Sequence, residues 1–350
     1  MTGSAMSDVV LLVRADASAT VGLGHAMRCL ALAEAWLEHG GRVTFAMHQV
    51  PESVRLRIER AGASVVPVET AEDTALLARK LNARFAVVDG YHLGAATQEA
   101  LAAAGARLLV VDDAGETATR SAALVLNQNA GATPALYAAL GSGPQLLLGP
   151  TFVLLRREFR DAPAERFVPE FARRVLVTFG GADTANLAPR AIEALAPLDG
   201  LDVLVVAGNA NARASELRAP AGARAKVRIE AAVDDFAEAM RSADLAVIAA
   251  GSTTWELASS GTPMIAIVTA ENQRGVAVAI DELGLGEVVG DAENVSASAI
   301  REAVVRLAAD AGARRGMARR GRELIDGCGA QRVCAALRAE AGAHGPGDAQ

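Results

Sequence analysis

A glycine-rich turn that carries a histidine is the first segment of this sequence that could do chemistry. In "GLGH", Gly22 and Gly24 allow the backbone to approach a ligand closely, and His25 stands where an apolar helix begins. The positive potential at a helix N-terminus favours the neutral imidazole, which is the form that a general base requires. A glycine turn with an incidental histidine is the alternative, because short glycine motifs are weak signals.

A second glycine turn, "TFGGADTANL", follows a Val-rich run in the other half of the chain. Gly180 and Gly181 could cradle a phosphate on backbone amides. An ordinary strand-to-helix turn, with Asp183 or Thr184 capping the next helix, explains this segment equally well.

The segment "AAGSTTWELASSGTP" combines a glycine turn with hydroxyl and carboxylate side chains. Gly251 and Ser252 follow a buried run, and Ser252 and Thr253 place hydroxyls at the start of a helix. One turn further on, the Glu256 carboxylate could accept hydrogen bonds from a ribose diol. The alternative is a capping box, in which Ser252 or Thr253 caps the helix and Glu256 bonds back.

The loop "TAENQRG" also follows a predicted strand and carries two uncharged amides. Asn272 and Gln273 can donate and accept hydrogen bonds, as sugar hydroxyls and acetamido groups require. The acidic pair Asp112 and Asp113 ends another Val-rich run, where it either caps the next element or takes part in the chemistry.

Short apolar runs alternate with helical patterns along the chain, and the alternation stops and restarts. This predicts an α/β fold of two Rossmann-like, doubly wound domains that face each other across a cleft. We place the domains at residues 8–160 and 173–340, with a polar linker at 161–172 and a disordered tail at 341–350. Ligands of such sheets bind at the carboxyl ends of the strands, where all of these loops lie.

Composition narrows the function further. The 350 residues are 51% hydrophobic with a formal net charge of -7, so a nucleic-acid partner is not expected. The three cysteines show no metal-type spacing. No signal-peptide pattern is evident, and no apolar run approaches the roughly 20 residues that span a bilayer. We expect a cytoplasmic enzyme, a monomer or weak dimer, that needs no metal or other cofactor and does not insert into membranes.

The ordered set of motifs resembles a known family over nearly the whole chain, from Val10 to Val333. The motifs are "RADASATVGLGHAMRCLALA", "VVDGYHL", "VVDDAGE", "LVLNQN", "LLLGPTFVLLRREF", "VTFGGADTANL", "AGSTTWELASSGTP" and "ENQ". They are similar to those of the nucleotide-sugar hydrolases of pseudaminic acid biosynthesis and the related spore-coat polysaccharide proteins. The chain more distantly resembles the glycosyltransferase that makes lipid II, and this resemblance implies a two-domain GT-B fold.

The resemblance implies hydrolysis of UDP-2,4-diacetamido-2,4,6-trideoxy-β-L-altropyranose to the free sugar and UDP, with inversion. It implies that His25 activates water, with Tyr91 and Asn272 beside the sugar. It assigns substrate or nucleotide binding to the remaining motif residues, namely Arg14, Asp16, Gly22, Gly24, Gly180, Gly181, Gly251, Ser252, Thr253, Glu256 and Gln273.

Three alternatives to hydrolysis remain at this level. A GT-B glycosyltransferase would deliver the sugar to an acceptor hydroxyl, and it needs the same base, diphosphate cradle and ribose carboxylate. A non-catalytic nucleotide-sugar binding protein would have no use for His25. A UDP-sugar 2-epimerase shares the layout but carries a different set of acidic residues and histidines. Gly90, in "DGY", departs from relatives with a larger residue there, so this loop is expected to differ.

Overall fold

Parallel strands joined by helices build both halves of the chain, which confirms the predicted α/β class with two Rossmann-like sheets. A computed structural model describes residues 8–18, 21–160 and 166–343. The chain divides into two compact units, Met1–Arg157 with Gly327–Gln350, and Glu158–Asp326. Among the described residues, no helix combines the length and apolar character needed to cross a bilayer.

The strands of the first unit are β1 (Val10–Ala15), β2 (Arg42–Met47), β3 (Ser64–Pro67), β4 (Phe85–Asp89), β5 (Arg107–Val111), β6 (Ala122–Asn127) and β7 (Gln145–Leu148). In the described part of the chain they form one parallel sheet in the order β3-β2-β1-β4-β5-β6-β7. Central strands such as β1 are buried along their length, because helices cover both faces of a doubly wound sheet and apolar runs satisfy both.

The strand order reverses between β1 and β4, which are neighbours although two strands separate them in sequence. Ala15 pairs with Asp89 at the carboxyl ends of these strands. Such a reversal opens a crevice at which doubly wound sheets bind ligands. The loops after β1 and β4 therefore occupy the expected ligand-binding edge of the first unit.

The second unit repeats this arrangement. Its strands are β8 (Arg174–Thr178), β9 (Asp202–Val206), β10 (Lys226–Glu230), β11 (Leu245–Ala249), β12 (Met264–Val268) and β13 (Gly286–Asp291). Within the described residues they form a parallel sheet in the order β10-β9-β8-β11-β12-β13. Its switch point lies between β8 and β11, whose following loops contain Gly180 and Gly251.

Helices connect the strands in both units. They are α1 (Gly24–Glu38), α2 (Glu52–Arg60), α3 (Ala71–Lys80), α4 (Ala95–Ala103), the single turn α5 (Arg157–Arg160), α6 (Ala188–Leu195), α7 (Phe236–Ser242), α8 (Thr253–Ser260), α9 (Arg274–Glu282), α10 (Ala297–Ala309), α11 (Ala311–Leu324) and α12 (Gly329–Ala343). One buried tryptophan lies in each unit, Trp36 in α1 and Trp255 in α8. Each therefore reports on the folding of its own unit.

The last helix lies in a different unit from the one predicted, because the predicted second domain included residues up to 340. Helix α12 belongs to the first unit, where Val333 and Leu337 are buried in the same core as Leu30 of α1. An amphipathic pattern shows that a helix needs an apolar partner but does not say which one. Of the predicted linker and tail, residues 161–165 and 344–350 lie outside the described residues.

Candidate functional site

The imidazole of His25 is held by a buried carboxylate at the switch point of the first sheet. His25 lies in the first turn of α1, and Asp89 is the last residue of β4. The His25 Nδ1 and Asp89 Oδ1 atoms are 2.7 Å apart, and the Asp89 side chain has 0% exposure. Arg28 Nη2 lies 3.2 Å from the same nitrogen. With Asp89 ionised, the shorter contact to the carboxylate is satisfied when Nδ1 carries the ring proton and donates it. The lone pair of His25 Nε2 is then available to accept a proton.

Arg28, one turn along α1 from His25, joins two carboxylates. Its Nε donates to Asp89 Oδ2 and its Nη2 to Asp89 Oδ1, both at 2.6 Å. Its Nη1 donates to both oxygens of Asp113, at 3.0 and 2.8 Å. A guanidinium is suited to this role because its planar donors match two carboxylates at once. Arg28 therefore fixes the orientation of Asp89 behind His25.

The electrostatics of this cluster keep Asp89 charged. Burial opposes its ionisation, but the charge and hydrogen bonds of Arg28 outweigh burial and hold the pKa of Asp89 well below its ordinary value. Burial likewise opposes the charge of Arg28, yet Asp89 and Asp113 raise the pKa of that guanidinium well above its ordinary value. Burial raises the pKa of the Cys29 thiol, which donates to Asp89 Oδ2 at 3.4 Å.

Tyr91 lies beside the dyad that His25 and Asp89 form. Its ring meets that of His25 edge to face, with centroids 5.2 Å apart, and its hydroxyl donates to Asp113 Oδ2 at 3.2 Å. The side chain is 52% exposed, so a ligand can reach it. Asn129 Nδ2 also donates to the Asp113 carbonyl oxygen, at 3.3 Å. The structure thus brings together two residues that the resemblance placed at the sugar, His25 and Tyr91.

The two adjacent aspartates after β5 have separate roles. Asp112 accepts backbone N–H groups from the five residues 114–118, at 2.9 to 3.3 Å. It therefore shapes the loop, as the capping alternative predicts. Asp113 instead belongs to the charged cluster through Arg28.

The glycine turn that precedes His25 is tight. Gly22 has a φ of 83°, and its N–H donates to the Ser18 carbonyl oxygen at 2.9 Å. Gly24 is the first residue of α1, and Leu23 caps the helix without a side-chain hydrogen bond. The left-handed φ explains the glycine at position 22.

Arg14 and Asp16 form a second charged group beside the turn. Arg14 Nη1 donates to Asp16 Oδ1 at 2.7 Å, and Asp16 Oδ2 is 2.7 Å from His92 Nε2. The His48 backbone N–H also donates to Asp16 Oδ1, at 2.7 Å. Burial opposes the ionisation of Asp16, but the hydrogen bonds from Arg14 and His92 lower its pKa to about 2.

This lowered pKa predicts a specific acid sensitivity. A carboxyl whose pKa falls on folding stabilises the protein above its unfolded value of about 3.9 and loses that contribution as the pH falls through the folded value. Between about pH 5 and pH 2, we expect the first unit to lose about 2 kcal/mol of unfolding free energy that an Asp16→Asn variant does not lose. Urea unfolding followed by Trp36 fluorescence, in a Trp255→Phe background, measures it. Parallel pH dependences for the two proteins would contradict this assignment.

In the second unit, Gly180 and Gly181 form the turn after β8. Gly180 has a φ of 80°, and the Gly181 carbonyl oxygen accepts from the Ala210 N–H at 2.9 Å. Asp183 then accepts from the N–H groups of Leu187 and Ala188, each at 2.9 Å, at the start of α6. Asp183 thus holds the loop that leads into α6, but the N-cap residue of this helix is Leu187, which makes no side-chain cap hydrogen bond. The glycine turn stays a candidate for ligand binding.

The conformation of the Gly180–Gly181 turn depends on Gly208, because a side chain at position 208 would strike that turn. Gly208 has a φ of 90°, and a Cβ there would lie 2.6 Å from the Gly180 carbonyl oxygen and also strike that of Gly181. We expect Gly208→Ala to displace this turn and to weaken UDP binding about tenfold, or about 1.4 kcal/mol. Gly200→Ala is the matched control, because Gly200 has a φ of 76° and open space around it. Calorimetric titration with UDP that finds equal affinities for the two variants would remove this turn from nucleotide binding.

Helix α8 begins without the capping box that the sequence allows. Ser252 is its N-cap residue, but it has helical backbone angles and makes no side-chain cap hydrogen bond. Gly251 and Thr253 flank it, and Glu256 lies in the first turn, half-buried. The N-terminus of α8 thus presents backbone N–H groups and a positive potential that suit an anion.

The amides of the "ENQ" segment occupy a 3₁₀ turn after β12 (Glu271–Gln273). Gln273 Oε1 accepts from the Thr269 N–H at 2.9 Å and from its hydroxyl at 3.1 Å. These bonds orient the amide NH₂ toward Gly251, since a Cβ on Gly251 would lie 3.8 Å from Gln273 Nε2. Asn272 is exposed on the same turn.

Sequence reasoning missed the partners of His25. Arg28, Asp89 and the pairing of Asp113 were not identified, although two signals were present. Asp89 is a lone acid at the end of a buried Val-rich strand, and Arg28 stands one helical turn after His25. Within the described residues, no three His, Cys, Asp or Glu side chains group as ligands of a metal ion.

Comparisons with known proteins agree with the fold. Residues 174–323 match the glycosyltransferase family 28 C-terminal domain. An uncharacterized protein of Methanocaldococcus jannaschii is 24% identical over 268 residues, which cover 74% of this chain and 55% of that protein. The spore coat polysaccharide biosynthesis protein SpsG of Bacillus subtilis is 26% identical over 200 residues, which cover 54% of this chain and 57% of that protein. The chain thus matches little more than half the length of these curated relatives.

Solved structures share the fold at low identity. MurG of Acinetobacter baumannii superposes with a TM-score of 0.68 at 15% identity, over 95% of this chain and 99% of that one. The glycosyltransferase VinC, in complex with dTDP, has a TM-score of 0.65 at 17% identity, over 96% and 100%. The fold is that of GT-B glycosyltransferases.

Proposed function

We propose that this chain is a nucleotide-sugar-utilising enzyme that transfers the glycosyl group to a hydroxyl acceptor, with His25 as the general base. The observation that carries the proposal is the His25–Asp89 pair at the switch point of the first sheet. The match of residues 174–323 to a glycosyltransferase C-terminal domain supports a nucleotide-binding role for the second unit.

The reaction is a single displacement at the anomeric carbon. His25 Nε2 takes the proton of the acceptor hydroxyl. At the same time, the oxygen of that hydroxyl forms a bond to the anomeric carbon. The bond from the anomeric carbon to the diphosphate oxygen breaks, and the nucleoside diphosphate leaves with the electron pair. One displacement inverts the anomeric configuration. Asp89 stabilises the imidazolium that forms, and Arg28 holds Asp89 in place.

The second unit stabilises the leaving group. The N-terminus of α8, with Gly251, Ser252 and Thr253, presents amides and hydroxyls to the diphosphate, whose negative charge grows in the transition state. Glu256 accepts hydrogen bonds from the ribose diol. Asn272 and Gln273 offer neutral donors and acceptors to the glycosyl group.

Water is the second candidate acceptor, and the ordered motif set quoted above favours it. In this case the substrate is UDP-2,4-diacetamido-2,4,6-trideoxy-β-L-altropyranose, and the products are the free inverted sugar and UDP. The same base and the same leaving-group site serve both reactions, so the acceptor alone separates them.

Proton and phosphorus NMR of the purified chain tests both candidates. The substrates are this UDP-diacetamido sugar and UDP-N-acetylglucosamine, first without an acceptor and then with a panel of hydroxylated glycoside acceptors. Free inverted sugar without an acceptor identifies the hydrolase, and a new inverted glycoside that appears only with an acceptor identifies the transferase. If neither sugar loses its nucleotide and calorimetry detects no binding of UDP or dTDP, the proposal fails.

A further inference from the structure

A cavity of about 300 Å³ in the first unit lies outside the dyad described above. Its walls come from the carboxyl ends of β1, β2 and β4 and from the starts of α3 and α4. Charged and polar side chains line most of it, among them Arg14, Asp16, His48, Glu69, His92 and Thr97. It therefore opens at the same sheet edge as His25, on the β2 side of the switch point.

The cavity has no excess of positive charge. Arg14 and Asp16 are both buried, and their 2.7 Å contact pairs the guanidinium with the carboxylate. The remaining polar groups supply both donors and acceptors, including the Thr97 hydroxyl, whose residue is 9% exposed. Glu69 adds an exposed carboxylate, and the guanidinium of Arg14 is already paired. A lining with no excess of positive charge and with both kinds of hydrogen-bonding group suits a neutral, polyhydroxylated ligand better than an anion.

The volume limits the ligand further. Small-molecule sites span about 300–1,000 Å³, so this cavity lies at the lower end. One sugar ring with its substituents fits such a space, whereas a complete nucleotide sugar does not.

Gly90 makes the placement of His92 possible. The Gly90 φ of 156° disfavours other residues, and a Cβ there would lie 3.0 Å from His92 Cε1 and 3.2 Å from His92 Nδ1. A side chain at position 90 would therefore crowd Nδ1 or displace the His92 ring by a few tenths of an ångström. In the neutral imidazole, with Nε2–H donating to Asp16 Oδ2, Nδ1 carries the lone pair. The His92 side chain is 44% exposed, so a ligand hydroxyl can reach this acceptor.

We propose that this cavity binds one neutral pyranose ring, with His92 Nδ1 as a hydrogen-bond acceptor for a ring hydroxyl and Gly90 as the residue that keeps this nitrogen uncovered. The inference rests on the proposed function, for which it names the non-nucleotide ligand of the first unit. The ring belongs either to the glycosyl group of the donor or to the acceptor, since both present the same hydroxyl chemistry.

Ligand-detected saturation-transfer NMR tests the cavity without turnover. The probes are N-acetylglucosamine, a neutral pyranose, and glucuronate, an anionic one. Ala71→Leu places a larger side chain in the cavity wall, and Thr97→Val removes a hydroxyl at nearly constant volume. Ala96→Leu, on an exposed residue of α4, is the control. Urea unfolding followed by Trp36 fluorescence, in the Trp255→Phe background, shows that the first unit of each variant is folded.

We expect transfer to N-acetylglucosamine in the wild type and in Ala96→Leu, and affinity about tenfold lower in Ala71→Leu. Thr97→Val lowers the affinity by a smaller factor. The inference is overturned if the wild type does not bind the neutral pyranose, if it prefers glucuronate, or if Ala71→Leu and Thr97→Val bind like the wild type.

The two possible sources of the ring separate by kinetics. A higher KM of Ala71→Leu for the nucleotide sugar assigns the ring to the donor, and a higher KM for the acceptor assigns it to the acceptor. Failure of the proposed function gives a different pattern. In that case pyranose binding still responds to the cavity variants, while no nucleotide sugar is turned over.

Discussion

Replacement of His25 by alanine is expected to lower turnover of the nucleotide sugar by about 100- to 10,000-fold, the usual contribution of a general base. The affinity for UDP should stay nearly unchanged, because the predicted nucleotide loops belong to the second unit. Loss of kcat without loss of binding is the signature of a group that acts on the transition state. Steady-state kinetics and calorimetric UDP titration of the same preparation measure both.

The matched control for this prediction lies on the same helix. His39 follows the last residue of α1, where its Nδ1 is 2.7 Å from the Ala35 carbonyl oxygen. His39→Ala should retain wild-type turnover. Asp89→Asn should lower kcat as well, because an amide does not hold the proton on Nδ1 or stabilise an imidazolium. Full turnover by His25→Ala would remove the dyad from the mechanism.

Arg28→Met is expected to lower the unfolding free energy of the first unit by about 3–5 kcal/mol, the cost of removing one partner of a buried ion pair. The substitution leaves Asp89, which has 0% exposure, and Asp113 without their shared guanidinium. Urea unfolding monitored by Trp36 fluorescence at neutral pH, in the Trp255→Phe background, reports on this unit. A change similar to that of a surface substitution would show that the cluster contributes little to stability.

The difference in unfolding free energy between the wild type and Arg28→Met should depend on pH in a definite direction. In the wild type the lowered pKa of Asp89 means that its contribution is present at neutral pH and is lost in strong acid. Without Arg28, burial dominates and raises the pKa of Asp89, so its charge destabilises the variant at neutral pH. Protonation relieves that penalty, and the difference between wild type and variant should shrink as the pH falls.

Two further variants isolate the buried charge as the cause. Arg274→Met also removes a guanidinium that pairs with two carboxylates, those of Glu271 and Asp291, but on the exposed surface. Water screens such pairs, so this control should unfold like the wild type. In Arg28→Met, a second change of Asp89→Asn should restore part of the lost stability, because an amide needs no counter-charge.

The fold and the position of the candidate loops followed from local sequence patterns. Val-rich runs that alternate with amphipathic helices are typical of parallel sheets, and turns rich in glycine after such runs lie at the carboxyl edge. The positions of Gly22 and Gly180 follow from backbone conformation, since both have left-handed φ angles. The strands, the helices and the glycine turns depend on residues that are close in sequence, so local sequence patterns are enough to predict them.

The partners of these residues depended on the tertiary structure. Asp89 is 64 positions from His25, and Asp113 is 85 positions from Arg28. They meet because the strand order places β4 beside β1 and β5 beside β4, an arrangement that local hydropathy does not encode. The return of α12 to the first unit has the same origin, since its apolar face fits any complementary groove. The sequence by itself determined the elements and a candidate base, whereas only the packing of distant strands supplied the buried carboxylate and guanidinium that orient that base.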